Sequence, residues 1–156
     1  MKIATREDIA APIEVVFAQL ADFDGYERAA LRRGAEVTRT DELSVPGVGM
    51  TWSAVFDYRG KERKARIELT DYDPPNAMIL AVHSAGADIV VVIDLVAMSK
   101  SRTRMNLSVD TRPRSLPAKV FVQSLKLARS SVLKRFRKRV ADFAGDLEER
   151  CKRRMA

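Results

Sequence analysis

The sequence predicts a single α+β domain, in which a curved antiparallel sheet of seven strands wraps around one long C-terminal helix. Two observations predict the sheet: apolar residues alternate with polar ones in several segments, and the connections between those segments are short and contain Gly and Pro. A third observation predicts the helix, because apolar residues recur every three or four positions from Phe121 to Leu147. We therefore expect one domain over residues 1–156, with two short helices after the first strand.

The N-terminal segment is predicted to form that first strand and the two short helices. Residues 2–11 alternate weakly, which indicates a strand, and Pro12 suits the first turn of a helix. The following apolar residues share one helical face: Ile13, Val16, Phe17 and Leu20. Asp24, with Glu27 three residues later, resembles a capping box and predicts a second helix that ends before Gly34.

Six further strands are predicted after Gly34, at residues 35–42, 50–58, 64–70, 77–84, 88–98 and 102–111. Turn signals such as Pro46-Gly47, Arg59-Gly60 and Pro74-Pro75 separate them. In the strand at 64–70, apolar residues alternate with charged ones, which indicates that one face of the sheet is in water. The short connections favour an antiparallel meander over crossover connections.

One long helix is predicted at about residues 116–152, with Ser115 as its N-cap and Pro117 in its first turn. Its apolar stripe consists of Phe121, Leu125, Ala128, Val132, Phe136, Val140, Phe143 and Leu147. A sheet with one apolar face needs a cover, and only this helix is long and apolar enough to supply it. A curved sheet around one helix leaves a hollow, where we expect a ligand.

The positive charge of the chain is concentrated in this helix. The chain has 28 Lys and Arg against 21 Asp and Glu, a net charge of +7. Residues 112–156 contain 14 basic and 4 acidic residues, so the preceding 111 carry a net charge of −3. We interpret the basic residues first as the solvated face of an amphipathic helix, and second as a surface for nucleic acid or anionic lipid. Nucleic acid is the less favoured partner, because Phe136 belongs to the apolar stripe and is not free to stack on bases.

The remaining composition predicts a cytoplasmic protein without cofactor or metal. Cys151 is the one cysteine, the N-terminus lacks a signal-peptide pattern, and no apolar stretch reaches the roughly 18 residues of a membrane span. His83 is the one histidine, which gives poor support for a metal site. Gly47-Val48-Gly49 lacks the further glycine and the helix of a dinucleotide-binding motif. The oligomeric state is not predicted.

Three phrases, together with the element order, resemble the SRPBCC superfamily, which comprises the START, Bet v 1 and polyketide cyclase/dehydrase relatives. They are IAAPIEVVF at Ile9–Phe17, VGMTW at Val48–Trp52 and RTRMNLSV at Arg102–Val109. The resemblance implies the helix-grip fold and a deep apolar cavity for lipids, aromatic polyketides or similar hydrophobic molecules. It does not imply one activity, because the superfamily includes enzymes, carriers and proteins that assist quinone- or ribosome-related processes.

The residues that we expect to bind the ligand come from the apolar faces of the sheet and the long helix. They are Trp52, Phe56, Tyr58, Leu80, Met105, Leu107, Phe121, Leu125, Arg129 and Val132. Arg129 falls within the apolar arc of the helix, where its guanidinium group could bind a ligand carboxylate or phenolate. The alternative is a structural role, in which the side chain extends to the helix edge or pairs with a carboxylate of the sheet. We expect Asp94 on the outer face, paired with a cross-strand residue such as Arg104. The alternative is that Asp94 is an acid in the cavity with a raised pKa.

The leading hypothesis for function is binding or carriage of a hydrophobic small molecule. The alternative is a cyclase- or dehydrase-like enzyme, which would use Arg129, Tyr58 and His83 to polarise a carbonyl and move a proton. That alternative requires at least two of these groups to meet in one cavity, although we expect His83 on the outer face. A third hypothesis is interaction of the basic helix face with RNA, the ribosome or an anionic membrane.

Overall fold

The computed structural model describes all residues from Met1 to Ala156 and contains seven strands and four helices. The strands are β1 (Lys2–Ile9), β2 (Glu36–Arg39), β3 (Thr51–Tyr58), β4 (Lys61–Asp73), β5 (Ala77–Ser84), β6 (Ala87–Ser99) and β7 (Arg102–Pro113). The helices are α1 (Ile13–Leu20), α2 (Phe23–Arg32), α3 (Leu116–Leu127) and α4 (Arg129–Met155). No helix is both long enough and apolar enough to cross a lipid bilayer.

All seven strands form one antiparallel sheet in the order β1-β7-β6-β5-β4-β3-β2. Strands β2 to β7 therefore form a meander, and β1 joins its far edge beside β7. The helices α1 and α2 connect the two edges, and α4 lies against β1 and α1. The predicted seven-stranded helix-grip architecture is confirmed.

The core lies between α4 and the face of the sheet that we call the inner face. Ile9, Leu69 and Met105 on this face are fully buried, as are Leu147 and Cys151 of α4. Burying each large apolar side chain contributes about 1.5–3 kcal/mol to the hydrophobic stabilisation. The alternating pattern of the sequence shows which residues of each strand lie on the inner face, because successive side chains of a strand point to opposite sides of the sheet.

The predicted C-terminal helix is interrupted at Ala128, where the backbone leaves helical geometry with φ −100° and ψ 25°. It continues as α4 to Met155, beyond the predicted end near residue 152. The interruption allows α3 to pack on β7 while α4 packs on β1 and α1. Neither Gly nor Pro marks this position, although Ser130 and Ser131 just after it are weaker helix formers than Ala.

The first turn of α2 differs from the predicted capping box. The carboxylate of Asp22, rather than Asp24, accepts a hydrogen bond from the backbone N–H of Gly25 at 3.1 Å. Glu27 does not complete the box, because its carboxylate accepts the indole N–H of Trp52 instead. Gly34 has φ +84°, in keeping with its predicted place after the helix end.

The start of α3 is held by the turn between β5 and β6. The hydroxyl of Ser115 accepts the backbone N–H of Ala118 at 3.2 Å, which confirms the predicted N-cap. The Gly86 carbonyl accepts the backbone N–H groups of Arg114 and Ser115. A Cβ at Gly86 would overlap the side chain of Ser115, at 2.7 Å from its Cβ atom, so only glycine allows this close approach.

Candidate functional site

The inner face of the sheet is completely buried at one end and partly exposed at the other. Near α1 and the second half of α4, residues such as Leu69 and Met105 have no exposed surface. Toward α3 and the first half of α4, the sheet residues Phe56, Ile67, Leu80, Val91 and Leu107 are only partly buried. The same holds for Leu125, Val132 and Phe136 on the helices. We call the region lined by these partly exposed apolar side chains the candidate site.

Arg63 is the charged residue on this part of the inner face. It lies directly opposite Phe56 in the β3–β4 pairing, and two residues before the buried Ala65. Its Nε atom is buried and has no hydrogen-bond partner. A buried donor without a partner costs roughly 1–3 kcal/mol, so the site holds a guanidinium group that can donate to an oxygen of a ligand.

Arg63 was not among the residues predicted to bind a ligand, although the sequence contains a signal for it. Ala65, Ile67 and Leu69 mark the apolar face of β4. Extending the alternation two residues toward the N-terminus places Arg63 on the same face. A cation in register with an apolar face is the informative exception to the pattern.

The tip of the β3–β4 hairpin contacts α3 at the rim of the candidate site. The guanidinium carbon of Arg59 lies 5.4 Å from the ring centroid of Tyr58 and 5.2 Å from that of Phe121. Arg59 and Gly60 both have positive φ angles, +53° and +75°, which is the geometry of a two-residue I′ turn. Tyr58 and Phe121 are therefore exposed rim residues that both make a cation–π contact with Arg59.

The other predicted ligand-binding residues fall into two groups. Phe56, Leu80, Leu107, Leu125 and Val132 lie at the candidate site with part of their surface exposed. Trp52 and Met105 lie within the packed core, where they have 4% and 0% of their surface exposed. Trp52 also makes one polar contact, in which its indole N–H donates to Glu27 Oε1 at 3.0 Å.

Arg129 lies at the helix edge, outside the candidate site. It is exposed, and its Nη2 atom donates to the backbone carbonyl of Lys2 at 3.4 Å. This corresponds to the alternative in which the side chain extends to the edge of the helix. Its partner is a carbonyl of the edge strand rather than a sheet carboxylate.

His83 and Asp94 both lie on the outer face of the sheet. The imidazole of His83 pairs with the carboxylate of Asp88, to which Arg114 also binds at 2.9 Å. His83 therefore has the outer-face position that the alternation predicts. Asp94 is exposed on the same face, so it is not an acid of the candidate site.

The predicted ion pair between Asp94 and Arg104 is wrong, because Arg104 binds Asp8. The Nε atom of Arg104 lies 2.8 Å from Asp8, and Nη2 of Arg102 lies 2.7 Å from the same carboxylate. The register explains the choice, since Asp8 is directly opposite Arg104, whereas Asp94 is opposite Asn106. The hydrogen bond from Arg104, with that from Arg102, lowers the pKa of Asp8 from 3.8 to about 2.

The three groups of the acid–base hypothesis do not meet. Tyr58 lies at the hairpin tip, Arg129 at the edge of β1, and His83 on the outer face. No group of three or more His, Cys, Asp or Glu side chains is placed to hold a metal ion. The candidate site therefore offers apolar surface and one guanidinium group.

Two surface grooves have linings that include charged residues, and the first of them reaches Leu107 of the candidate site. One, of about 480 Å³, includes Arg6, Asp94 and Arg137. The other, of about 670 Å³, lies between α2 and α4, where the Arg150 guanidinium carbon is 5.7 Å from the Tyr26 ring centroid. Burial raises the pKa of Tyr26 in that groove. Most residues in each lining are polar or charged, and neither groove includes Arg63.

Comparison with known families identifies the fold. The family model described as polyketide cyclase / dehydrase and lipid transport matches residues 1–148. The chain belongs to this family. Membership in the polyketide cyclase/dehydrase and lipid transport family confirms the resemblance to the SRPBCC superfamily.

Solved structures agree with the family assignment at low sequence identity. The protein is similar to TTHA0849 from Thermus thermophilus, with 20% identity, TM-score 0.66 and all of both chains covered. It is also similar to the ZhuI aromatase/cyclase from Streptomyces sp. R1128, with 16% identity, TM-score 0.68 and coverage of 100% and 96%. Ara h 8.0201 has 14% identity and TM-score 0.59, with 90% of this chain and 97% of that chain covered. At these identities the likeness shows the helix-grip fold alone, and no curated protein sequence matches the chain.

Proposed function

We propose that this protein binds a hydrophobic small molecule at the candidate site, and that Arg63 donates hydrogen bonds to an acidic or carbonyl oxygen of that molecule. The observation that carries the proposal is the buried, unpartnered Nε of Arg63 on an otherwise apolar face. The family description, which includes both cyclases and lipid transport, is consistent with such a ligand.

The chemistry of the lining selects the ligand class. Phe56, Leu80 and Leu107 offer partly exposed aromatic and aliphatic surface, whose burial by a ligand is favourable. A guanidinium group binds a carboxylate, phenolate or enolate with planar, charge-assisted hydrogen bonds. The expected ligand is therefore an aromatic, polyketide-like or fatty acid-like molecule with one acidic or carbonyl oxygen placed beside Arg63.

Arg63 also supports the enzymatic alternative of a cyclase. A fixed donor in a water-poor site stabilises the negative charge that develops on a carbonyl oxygen when a neighbouring carbon loses a proton. Binding remains the leading function, because the groups proposed as proton donors and acceptors lie apart from one another. Turnover of a carbonyl-containing analogue that depends on Arg63 would favour the cyclase.

The test is a binding screen with matched acids and esters. Aromatic acids and long-chain fatty acids are compared with their methyl esters by calorimetry, and native mass spectrometry of freshly purified protein looks for retained ligand. We expect Arg63→Met to weaken binding of the acids at least about tenfold and that of the esters much less. Lys64→Met is the matched control, because Lys64 is the next residue and lies exposed on the outer face.

Two outcomes contradict the proposal. In the first, neither retained ligand nor binding of any acid is observed. In the second, an acid binds equally well to the wild type and to Arg63→Met, which would place the ligand away from Arg63.

A further inference from the structure

Helix α3 presents a row of apolar side chains to solvent. Leu116, Val120 and Leu127 have 73%, 64% and 90% of their surface exposed. They are separated by four and seven positions, so they lie within about 40° of one another on a helix with 3.6 residues per turn. We call this row the exposed α3 face.

The helix is firmly packed on its other side. Ala118 and Val122 are buried, with 8% and 3% of their surface exposed, and the helix packs on β7. Ser115 caps its first turn, and the carbonyl of Gly86 holds the preceding backbone. The exposed α3 face therefore belongs to a well-formed helix that is apolar on two opposite sides. A single exposed leucine is ordinary, but three apolar residues in one row indicate a contact surface.

The charges around this face are of one sign. No acidic residue occurs between Asp110 and Asp142, whereas ten Lys and Arg residues do. Lys119 and Lys126 lie on one flank of the exposed α3 face, and both are exposed. Neither takes part in an ion pair. The surface thus has three apolar side chains and the polar Gln123 along its centre, and it is cationic along its side.

We propose that α3 docks on an anionic lipid membrane. Leu116, Val120 and Leu127 enter the boundary between headgroups and acyl chains, and Lys119 and Lys126 contact lipid phosphates. The lysine side chains are long enough to lie along the apolar surface while their ammonium groups reach the headgroups. Docking of this kind is peripheral, because the helix lies in the plane of the membrane.

A membrane accounts for features of this face that RNA and a second copy of the chain leave unexplained. RNA uses cations and free aromatic rings, but Phe121 contacts Arg59 and lies off the exposed α3 face. A row of three apolar side chains offers less area than a stable dimer buries, and an antiparallel dimer through it would also bring the flanking lysines of both copies together. Membrane docking goes beyond the proposed function and does not depend on it, because the ligand-facing and exposed sides of α3 are opposite.

The test uses vesicles and the complete chain. Co-sedimentation with phosphatidylcholine vesicles, with and without phosphatidylglycerol, measures partitioning. We expect binding to the vesicles that contain phosphatidylglycerol, and a decrease of about tenfold or more for Leu127→Asp. Leu31→Asp is the matched control, since Leu31 is 66% exposed at the end of α2 and should leave partitioning within about twofold.

Insertion is measured separately from charge attraction. In Leu127→Trp, the new indole should shift its emission to shorter wavelength on vesicle addition and be quenched by brominated lipid, whereas Trp52 is buried and supplies a constant background. Circular dichroism and thermal melting establish that each variant is folded.

Three results would overturn membrane docking. One is equal partitioning of the wild type and Leu127→Asp. Another is tight binding of single-stranded RNA that persists in Leu127→Asp, with no binding to vesicles. The third is a dimer in sedimentation velocity that dissociates in Leu127→Asp, again without vesicle binding. Failure of the ligand screen leaves these measurements unaffected, so the two proposals are tested independently.

Discussion

The guanidinium group of Arg59 contacts the rings of both Tyr58 and Phe121 and so connects the β3–β4 hairpin to α3. These contacts are at the rim of the candidate site, where the inner face of the sheet approaches the helix. Because α3 also carries the exposed apolar row, the same hairpin contact positions both proposed surfaces.

We predict that Arg59→Asn loosens α3 without unfolding the protein. Asn tolerates the positive φ of this position but lacks the cation, so the variant loses about 0.5–1 kcal/mol of cation–π stabilisation. Hydrogen exchange of the α3 amides should become a few-fold faster, and a bound ligand should dissociate faster. Lys61→Asn in the same hairpin is the control. Unchanged exchange in α3 would show that the Arg59 contact does not hold the helix.

We predict that Arg63→Met stabilises the fold while it weakens ligand binding. The substitution removes a buried donor that has no partner and keeps an unbranched side chain, so the free energy of unfolding should rise by about 1 kcal/mol. Urea unfolding of the ligand-free protein measures the change. Arg66→Met, at an exposed position of the same strand, should stay within about 0.5 kcal/mol of the wild type. A less stable Arg63→Met would mean that the guanidinium group is satisfied in the folded protein.

The carboxylate of Asp8 should make the free energy of unfolding depend on pH in the acid range. Its pKa in the folded state is about 2, below the ordinary 3.8, because Arg104 and Arg102 bind the charged form. The stabilisation is therefore fully present above about pH 4 and is lost as the pH falls through 2. In urea unfolding at a series of pH values, Asp8→Asn should be less stable than the wild type at neutral pH, and the difference should shrink below pH 4.

A matched variant on α4 separates this effect from general charge removal. Asp142 pairs with Lys138 on α4 at 3.3 Å, and both side chains are mostly exposed. Exposed pairs of this kind contribute little, so Asp142→Asn should follow the wild-type pH profile. If Asp8→Asn and the wild type keep a constant difference from pH 7 to pH 2, the Asp8 carboxylate does not titrate as described.

The contact between Glu27 and Trp52 should be visible in fluorescence. Trp52 is the one tryptophan, and its indole N–H donates to Glu27 in a partly buried hydrogen bond. Glu27→Gln keeps an acceptor and should retain the wild-type emission maximum. Glu27→Leu leaves the N–H of Trp52 without a partner and should lower the free energy of unfolding by about 1–3 kcal/mol, measured by urea unfolding followed by Trp52 fluorescence. Equal stability of the two variants would show that the hydrogen bond contributes nothing measurable.

Local patterns were sufficient to predict most of the fold. The alternation of β4 and β6 assigned their inner faces, and the signals at Ser115 and Gly34 marked helix ends that the structure confirms. The interruption at Ala128 was not predicted, because it arises from where α3 and α4 pack rather than from a breaking residue. The ion pair between Asp94 and Arg104 was predicted wrongly, because Arg104 binds Asp8 on β1 instead. Asp8 lies 96 residues from Arg104 in the sequence, so the contact depends on the pairing of β1 with β7.

For the candidate site, the sequence alone determined which residues share the apolar face, and tertiary structure decided how deeply each is buried. Trp52 and Phe56 lie on the same side of β3, yet Trp52 is in the core while Phe56 remains partly exposed beside Arg63. A strand's period depends on its own backbone, and so it can be predicted from local sequence. Burial depends on which distant helix covers each position. Only the tertiary structure therefore showed that Arg63 lacks a partner and that Leu127 lies in solvent.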